Sequence, residues 1–262
     1  MNMLSAVIIT LNEEKNIGRC IDSLLTVADE IIVLDSFSSD NTVAIAKQKG
    51  AKVYQQTFNG YFQQKNKAFQ LASHNYILSL DADEALGREL ISAIQKEKEN
   101  FTAKAYCMNR CNIYCGQYIR HGLWYPDKKL RLFDKSIAYC GGVNPHDKII
   151  LRENTPVKHL KGDLLHYTYQ SLEEYLQRND EVSTVVAQSL FDSGKKVYRA
   201  KIIFSPLWAF LNGYFLKLGF LEGYNGFVIA VHTANQSYKK YYKLKQLQKQ
   251  AQQNISFQNI KF

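Results

Sequence analysis

The sequence predicts an α/β protein, with a largely parallel sheet, helices on both faces and a helical extension at the C-terminus. Short β-rich apolar runs alternate with helix-like segments through the first hundred residues, a pattern typical of parallel sheets. Shorter β-like pieces follow between residues 105 and 169, so we expect a mixed, Rossmann-like sheet. The chain then becomes aromatic and finally rich in Lys and Gln, which indicates a separate helical part.

Four strands and three helices are expected in the first hundred residues. The strands are residues 6–10, 31–34, 53–54 and 76–80. The first helix opens after Asn12 and places four apolar side chains on one face, namely Ile17, Ile21, Leu24 and Leu25. The second helix should begin after a cap at Ser39 and Asp40, and the third should span residues 63–72.

The C-terminal part has two readings. A helix over residues 171–192 should carry an apolar stripe of Leu172, Tyr175, Leu176, Val182, Val186 and Leu190. Residues 202–234 are apolar and aromatic, but Lys217 and Glu222 interrupt them, so no run reaches the ~18–20 residues of a membrane span. They are either core helices or a segment on a membrane surface, which the later cations Lys239, Lys240, Lys243, Lys245 and Lys249 would favour.

Net charge and cysteine content indicate which partners and which cellular compartment the sequence favours. A net charge of +9 suits an anionic partner, which could be nucleic acid, anionic lipid or a phosphorylated sugar. Five cysteines and the absence of a cationic leader fit a reducing cytosol. Cys107, Cys111 and Cys115 recur every fourth residue, but this is not a zinc spacing, and we expect buried thiols in strands.

Polar residues follow three of the predicted strands. The first strand ends in Thr10, Leu11, Asn12 and Glu13, the second in Asp35 and Ser36, and the fourth in Asp81 and Asp83. Ligands of such sheets bind beyond the carboxyl ends of the strands, so we expect one site there. Two carboxylates at i and i+2 can hold Mg²⁺ or Mn²⁺ against a leaving phosphate; an acidic turn before the next helix is the alternative. Lys65 adds a cation suited to a diphosphate.

The motifs TLNEE, LDSFSSDNT, QQKNKA and LSLDADE, followed by WYPDKKLRLFD and NPHDK, resemble those of family-two glycosyltransferases. Within that family the chain is similar to small enzymes that glucosylate the inner-core heptose of lipopolysaccharide or lipooligosaccharide. The resemblance implies a GT-A fold, a UDP-sugar donor, a divalent metal and inversion at the anomeric carbon. It divides the chain into a donor half at 1–100, an acceptor half at 101–192 and a membrane-associating extension at 193–262.

Residue by residue, the resemblance implies that Thr10, Asn12, Glu13 and Asp35 hold the nucleoside, that Lys65 lies near the diphosphate, and that Asp83 binds the metal with support from Asp81. Arg131 would shape the acceptor or phosphate side. His166 is a candidate third metal ligand, with a core histidine as the alternative. Trp124 is either a sugar-stacking platform or a core aromatic.

An inverting transfer needs one general base to take the proton of the attacking hydroxyl. We predict that Asp147 is this base, flanked by His146, with Asp127 in reserve; a turn carboxylate after Pro145 is the alternative.

The expected activity is that of a metal-dependent hexosyltransferase, peripheral on the cytoplasmic face of the inner membrane. Its partners would be a UDP-sugar, a lipid-linked saccharide and an anionic membrane surface. Nucleic acid is not expected, because the positive charge is concentrated late in the chain and no RNA-binding signature is present. A catalytically silent nucleotide-sugar binder and a basic nucleic-acid-binding module are the alternatives.

Overall fold

The computed structural model describes residues 2–143, 146–152, 154–169 and 171–259, without the side chains of residues 143, 146, 147 and 254–259. The chain forms two compact units. The first comprises Met1–Asn112 and Asp127–Thr168, and the second comprises Ile113–Pro126 and Tyr169–Phe262. The predicted divisions after residues 100 and 192 do not coincide with these units, because the second unit takes a short segment from the middle of the chain.

The strands form one mixed sheet and a separate hairpin. In chain order they are β1 (Leu4–Thr10), β2 (Glu30–Asp35), β3 (Lys52–Gln55), β4 (Tyr76–Asp81), β5 (Glu84–Leu86), β6 (Ala105–Tyr114), β7 (Gln117–Ile119), β8 (Asp127–Asp134), β9 (Ala138–Val143), β10 (His146–Leu151) and β11 (Lys158–Tyr169). The sheet order is β3-β2-β1-β4-β8-β6-β11-β5, with β7 on β6, and β9 pairs with β10. Strands β1 to β4 are parallel, whereas β8 runs antiparallel to β4.

Helices cover both faces of the parallel strands. The helices of the first unit are α1 (Ile17–Leu24), α2 (Thr42–Gln48), α3 (Tyr61–Leu71) and α4 (Arg88–Glu99). Alternate residues of β1 point to opposite faces, so Ala6 and Ile8 share one core with α1, α2 and α4, and Val7 packs in a second core with α3. The predicted α/β class, with its mixed sheet and helical C-terminal part, is confirmed.

The first predicted helix differs from α1 at both ends. The residues directly after Asn12 form a turn and not a helix. Asn12 itself has a φ of 55°, which is not helical, and the helix begins at Ile17. Ile17, Ile21 and Leu24 are buried as predicted, but Leu25 is 54% exposed, because the helix ends at Leu24.

The second unit is built on three further helices, α5 (Leu172–Asp192), α6 (Arg199–Leu211) and α7 (Gly223–Asn259). Ser171 caps α5 by accepting a hydrogen bond from the Glu174 N–H at 3.1 Å. The buried row of α5 consists of Tyr175, Asn179, Ser183 and Ala187, and it shares only Tyr175 with the predicted apolar stripe. These residues recur every fourth position, and the small ones allow α7 to pack closely along that row.

Between α6 and α7 the chain makes a π-helical turn at Asn212–Leu216 and a 3-10 turn at Gly219–Glu222. Among the described residues no single helix has the length and apolar composition of a membrane span. The bent pair Arg199–Leu216 and Gly219–Gln253, with 72° between its arms, meets those criteria only when both arms are taken together.

Candidate active site

The predicted strand ends meet at one edge of the sheet. Thr10 of β1 lies beside Asp35 of β2, and Ile9 lies beside Asp81 of β4. The structure therefore brings together the polar residues that follow the first, second and fourth predicted strands. Thr10 Oγ1 is buried and has no hydrogen-bond partner among the described residues, so its hydrogen-bonding capacity is unused in this arrangement.

The loops after β1 and β2 brace each other. The Asn12 N–H donates to Ser38 Oγ at 2.8 Å, and Asn12 Oδ1 accepts from the Ser39 N–H at 2.8 Å. The Glu13 N–H donates to Thr42 Oγ1 at 2.8 Å. Asn12 tolerates its positive φ better than most residues. Asn12 and Glu13 thus fix the shape of this edge, while Leu11 is exposed there.

Asp35 lies beneath the loop that follows it. Its Oδ2 accepts from the Ser38 N–H at 2.9 Å and from Gln55 Nε2 at 3.1 Å, and the residue is fully buried. Ser36 Oγ accepts from Gln64 Nε2 at 2.8 Å. In this arrangement Asp35 holds the loop, and a nucleoside would reach its carboxylate only after the loop moved.

Asp81 is held by two cations. Lys65 Nζ lies 2.8 Å from Asp81 Oδ1, and Arg131 Nη2 lies 2.7 Å from Asp81 Oδ2. Desolvation acts to raise the pKa of Asp81, but Arg131 and then Lys65 outweigh it and hold that pKa well below its usual range. Lys65, which was predicted to lie near the diphosphate, thus forms an ion pair with Asp81, and both Asp81 oxygens are engaged.

Arg131 is not positioned as an acceptor contact. It is 7% exposed, and its Nη2 also lies 2.7 Å from Oε1 of Glu84, which is fully buried at its side chain. Glu84 Oε2 accepts from the Asp81 N–H at 3.0 Å. Because its guanidinium is enclosed between two carboxylates, Arg131 pairs with Asp81 and Glu84 and holds them in position. The role of Glu84 was missed, although it directly follows the Asp-Ala-Asp motif.

Asp83 meets His166, as predicted for a metal pair. The pairing of β5 with β11 sets His166 opposite Glu84, and His166 Nε2 lies 3.1 Å from Asp83 Oδ2. His166 Nδ1 lies 2.6 Å from Asn112 Oδ1. Since an amide oxygen only accepts, Nδ1 carries the hydrogen, and a neutral imidazole turns its Nε2 lone pair toward the carboxylate. Sequence reasoning missed Asn112, because nothing in its neighbourhood marks it.

The Asp83–His166 pair fits a divalent cation. The 3.1 Å separation of Asp83 Oδ2 and His166 Nε2 is that of a hydrogen bond, and it is also about that of two ligands each ~2.1 Å from one metal. No group of three or more His, Cys, Asp or Glu suited to a metal occurs in the part of the chain that the structure describes. The fit therefore rests on Asp83 and His166, and Asp81 would join them only by leaving Lys65 or Arg131.

The structure describes the side chain of only one of the two candidate general bases, Asp127 and Asp147. Asp127 Oδ2 accepts from Arg110 Nε at 3.0 Å and Nη2 at 2.8 Å, and Lys129 Nζ lies 3.1 Å from Asp127 Oδ1. With both oxygens engaged by cations, Asp127 is a poor proton acceptor. The backbones of His146 and Asp147 begin β10, and their side chains lie outside the described residues, so Asp147 stays a prediction.

Trp124 belongs to the second unit. Its ring lies 5.9 Å from Tyr114 and 5.6 Å from Tyr175, edge to face in both cases, within a cluster that also contains Ile119 and Val228. This packing is that of a core aromatic, the second of its two readings, with part of the ring accessible.

Comparison with known proteins places this site in a family. Residues 5–151, more than half of the chain, match the model described as glycosyl transferase family 2. An uncharacterized glycosyltransferase of Rickettsia typhi is 30% identical over 99% of this chain and 92% of its own. The lipopolysaccharide core biosynthesis glycosyltransferase LpsC of Rhizobium meliloti is 29% identical over 91% and 93%. The structure of S. aureus TarS 1–349 in complex with UDP-GlcNAc is 15% identical over 95% and 92%, with a TM-score of 0.47. The chain is a glycosyltransferase that belongs to glycosyl transferase family 2.

Proposed function

We propose that the chain transfers a hexose, with glucose as the first candidate, from a UDP-sugar to a heptose of the lipopolysaccharide or lipooligosaccharide inner core, with inversion at the anomeric carbon. The observation that carries the donor side is the corner where Lys65, Asp81, Asp83 and His166 meet at the strand ends. The acceptor side is supported by the similarity to LpsC, which is named for lipopolysaccharide core biosynthesis.

The charges of the corner favour a bound cation. Asp81 and Glu84 are balanced by Lys65 and Arg131 within 2.8 Å, so these four groups are close to neutral together. Asp83 adds a further carboxylate beside His166. A divalent cation held by Asp83 and His166 would supply Lewis acidity to the leaving diphosphate. Asn112 would keep the imidazole oriented through its 2.6 Å contact.

The nucleoside side of the site uses the braced loops. Thr10 Oγ1 offers a buried acceptor or donor, and the exposed edge near Leu11 and Asn12 is held rigid by Ser38 and Ser39. A preformed surface of this kind costs little ordering free energy when the nucleotide binds.

Asp147 is proposed as the general base. Replacement by Asn keeps the size of the side chain and removes its basicity, so Asp147→Asn should lower transfer by at least ~10²-fold while donor affinity stays near that of the wild type. Robust turnover by Asp147→Asn would remove it from this role.

The donor proposal is tested by calorimetry with UDP-glucose, UDP-galactose, UDP-GlcNAc and GDP-mannose, each with and without Mn²⁺. We expect one UDP-sugar to bind only with metal and Asp83→Ala to lose that binding. Asp134→Ala is the matched control, because Asp134 pairs with Tyr76 at the opposite end of β4. If no nucleotide sugar binds under any condition, the donor proposal fails.

Transfer itself separates an enzyme from a silent nucleotide-sugar binder. With the donor identified, incubation with inner-core acceptors that carry or lack the heptose should yield glycosylated product only with the former. Donor binding without any transfer would favour the silent binder. The proposed location is the cytoplasmic face of the inner membrane, where both a UDP-sugar and a lipid-linked acceptor would be accessible.

A further inference from the structure

The positive charge of the protein is concentrated in its last 70 residues. Residues 193–262 contain eleven Lys and Arg and one acidic residue, Glu222, a net charge of +10. The preceding 192 residues contain 22 basic and 23 acidic residues, a net charge of −1. The whole excess of the +9 chain therefore belongs to the part that contains α6 and α7.

An apolar surface lies within this cationic part. Helix α6 has no buried residue, although its sequence is strongly apolar. Its exposed side chains recur at helical spacing and continue into the turns after it: Ile203, Phe204, Leu207, Trp208, Leu211, Phe215, Leu216, Leu218, Phe220 and Leu221. A contiguous exposed apolar face of this size is rare on a protein that stays in water alone.

The acidic residue that interrupts the apolar sequence is removed from this surface. Glu222 is 8% exposed, and its carboxylate accepts from the Arg120 N–H at 2.8 Å and from Gln117 Nε2 at 2.9 Å. His121 Nδ1 lies 2.7 Å from Glu222 Oε1. The turn is also packed tightly, because a Cβ on Gly226 would lie 2.0 Å from the Gly219 carbonyl oxygen. The apex between α6 and α7 is thus a fixed structure.

We propose that residues 199–221, here called the apolar wedge, insert into the interfacial layer of an anionic bilayer. The exposed Lys195, Lys196, Arg199 and Lys201 at the start of α6, with Lys217 at the turn, would contact lipid phosphates. The exposed Leu, Ile, Phe and Trp side chains would enter the acyl boundary. This inference rests on the membrane location proposed above and names the surface that would make the contact.

A lipid surface suits the apolar wedge better than a second copy of the chain. Two copies packed through this face would bring their cationic borders together, and like charges oppose association. Anionic headgroups neutralise the same border while the acyl region buries the apolar side chains.

The chain carries its own probe of insertion. Its two tryptophans are Trp124 and Trp208, so Trp124→Phe leaves Trp208, 60% exposed, as the only indole. With phosphatidylcholine–phosphatidylglycerol vesicles we expect a blue shift of its emission and quenching by brominated acyl chains. An emission spectrum unchanged by these vesicles would overturn the proposal.

Vesicle co-sedimentation of the full chain tests the residues involved. The double variant Leu207→Asp/Leu216→Asp should reduce the partition coefficient at least tenfold. Leu25→Asp is the control, because Leu25 is 54% and Leu207 53% exposed, and Leu25 follows the end of α1 in the first unit. The double variant Lys201→Glu/Lys217→Glu should reduce binding to anionic vesicles by about fivefold per cation or more.

The outcomes are separable from those of the donor experiment, since vesicle binding needs neither donor nor acceptor. Wild-type binding to anionic vesicles, lost in the Leu double variant and kept in Leu25→Asp, supports the proposal. Equal binding by the Leu double variant overturns it. If sedimentation velocity shows a dimer that the Leu double variant dissociates, while vesicle binding is unaffected, the face is a contact between copies and the proposal is wrong. Thermal melts of the variants establish that each one is folded.

Discussion

Arg131 is the residue on which the charge balance beneath the candidate site depends. We predict that Arg131→Met, which keeps a similar length and removes the charge, destabilises the first unit by about 3–5 kcal/mol. The carboxylate of Glu84 would remain buried with the Asp81 N–H at 3.0 Å and Arg110 Nη1 at 3.6 Å. Breaking a buried pair costs this much because one charge is left without its counterion. In a unit of this size the melting temperature should fall by roughly 10 °C.

Arg131 is charged at every working pH. Burial acts to lower the pKa of Arg131, but Glu84 and Asp81 raise that pKa above its usual value. The deficit of Arg131→Met therefore arises from the buried carboxylates that lose this cation.

Calorimetric unfolding and hydrogen exchange of the β4 and β8 amides are the suitable measurements, because both tryptophans lie in the second unit. Arg88→Met, at an exposed position of α4, is the control. Adding Glu84→Gln should restore part of the lost stability, as expected for coupled neighbours. A deficit below about 1 kcal/mol, or one unaffected by Glu84→Gln, would refute the reasoning.

Three further predictions concern single positions. Burial acts to raise the pKa of Glu30, but hydrogen bonds from Lys52, Ser73 and Ser5 lower it to about 2 from 4.5. The ionised Glu30 should therefore contribute about 3 kcal/mol of stability above pH 4.5, and this contribution should be lost as the pH falls toward 2. The stability of Glu30→Gln should accordingly change less with pH in acid unfolding. Thr10→Val should leave the free energy of unfolding unchanged or raise it by up to about 1 kcal/mol, while calorimetry shows weaker donor binding; unchanged affinity would exclude the hydroxyl from the site. Gly226→Ala should destabilise the second unit by more than about 3 kcal/mol, because its Cβ would overlap the Gly219 oxygen, and a thermal melt equal to that of the wild type would contradict this packing.

The parallel strands were predictable because the local sequence of each one indicates a strand. The predicted runs at 6–10, 31–34, 53–54 and 76–80 correspond to Leu4–Thr10, Glu30–Asp35, Lys52–Gln55 and Tyr76–Asp81. Strands β1, β2 and β4 are short, apolar and buried on both faces, as parallel strands inside a sheet require, whereas β3 is a largely exposed edge strand. Once the strands are placed, the polar residues after them must lie at one edge, so their proximity was predictable.

The supporting residues of the site were not predictable in the same way. Glu84 of β5 meets Arg131 of β8, and His166 of β11 meets Asn112 of β6, through a strand order that brings together distant parts of the chain. A single sequence contains no signal for such register. The buried row of α5 was predicted only at Tyr175 for a related reason: periodicity counts apolar residues, whereas close helix packing also selects small ones such as Ser183 and Ala187.

Glu222 interrupts the apolar C-terminal sequence, and the sequence does not show which groups satisfy this acid. Burying a lone carboxylate is costly. Its hydrogen-bond donors come from residues 117–121, about a hundred positions earlier, so the cost is offset inside the protein and the surface stays apolar. In the first unit the buried carboxylate of Glu84 is likewise paired with a distant residue, Arg131. In both units a buried acid is satisfied by a distant segment, and the neighbouring groups stay free for the ligands proposed above: a divalent cation at Asp83 and His166 in one case, and an anionic bilayer at the apolar wedge in the other.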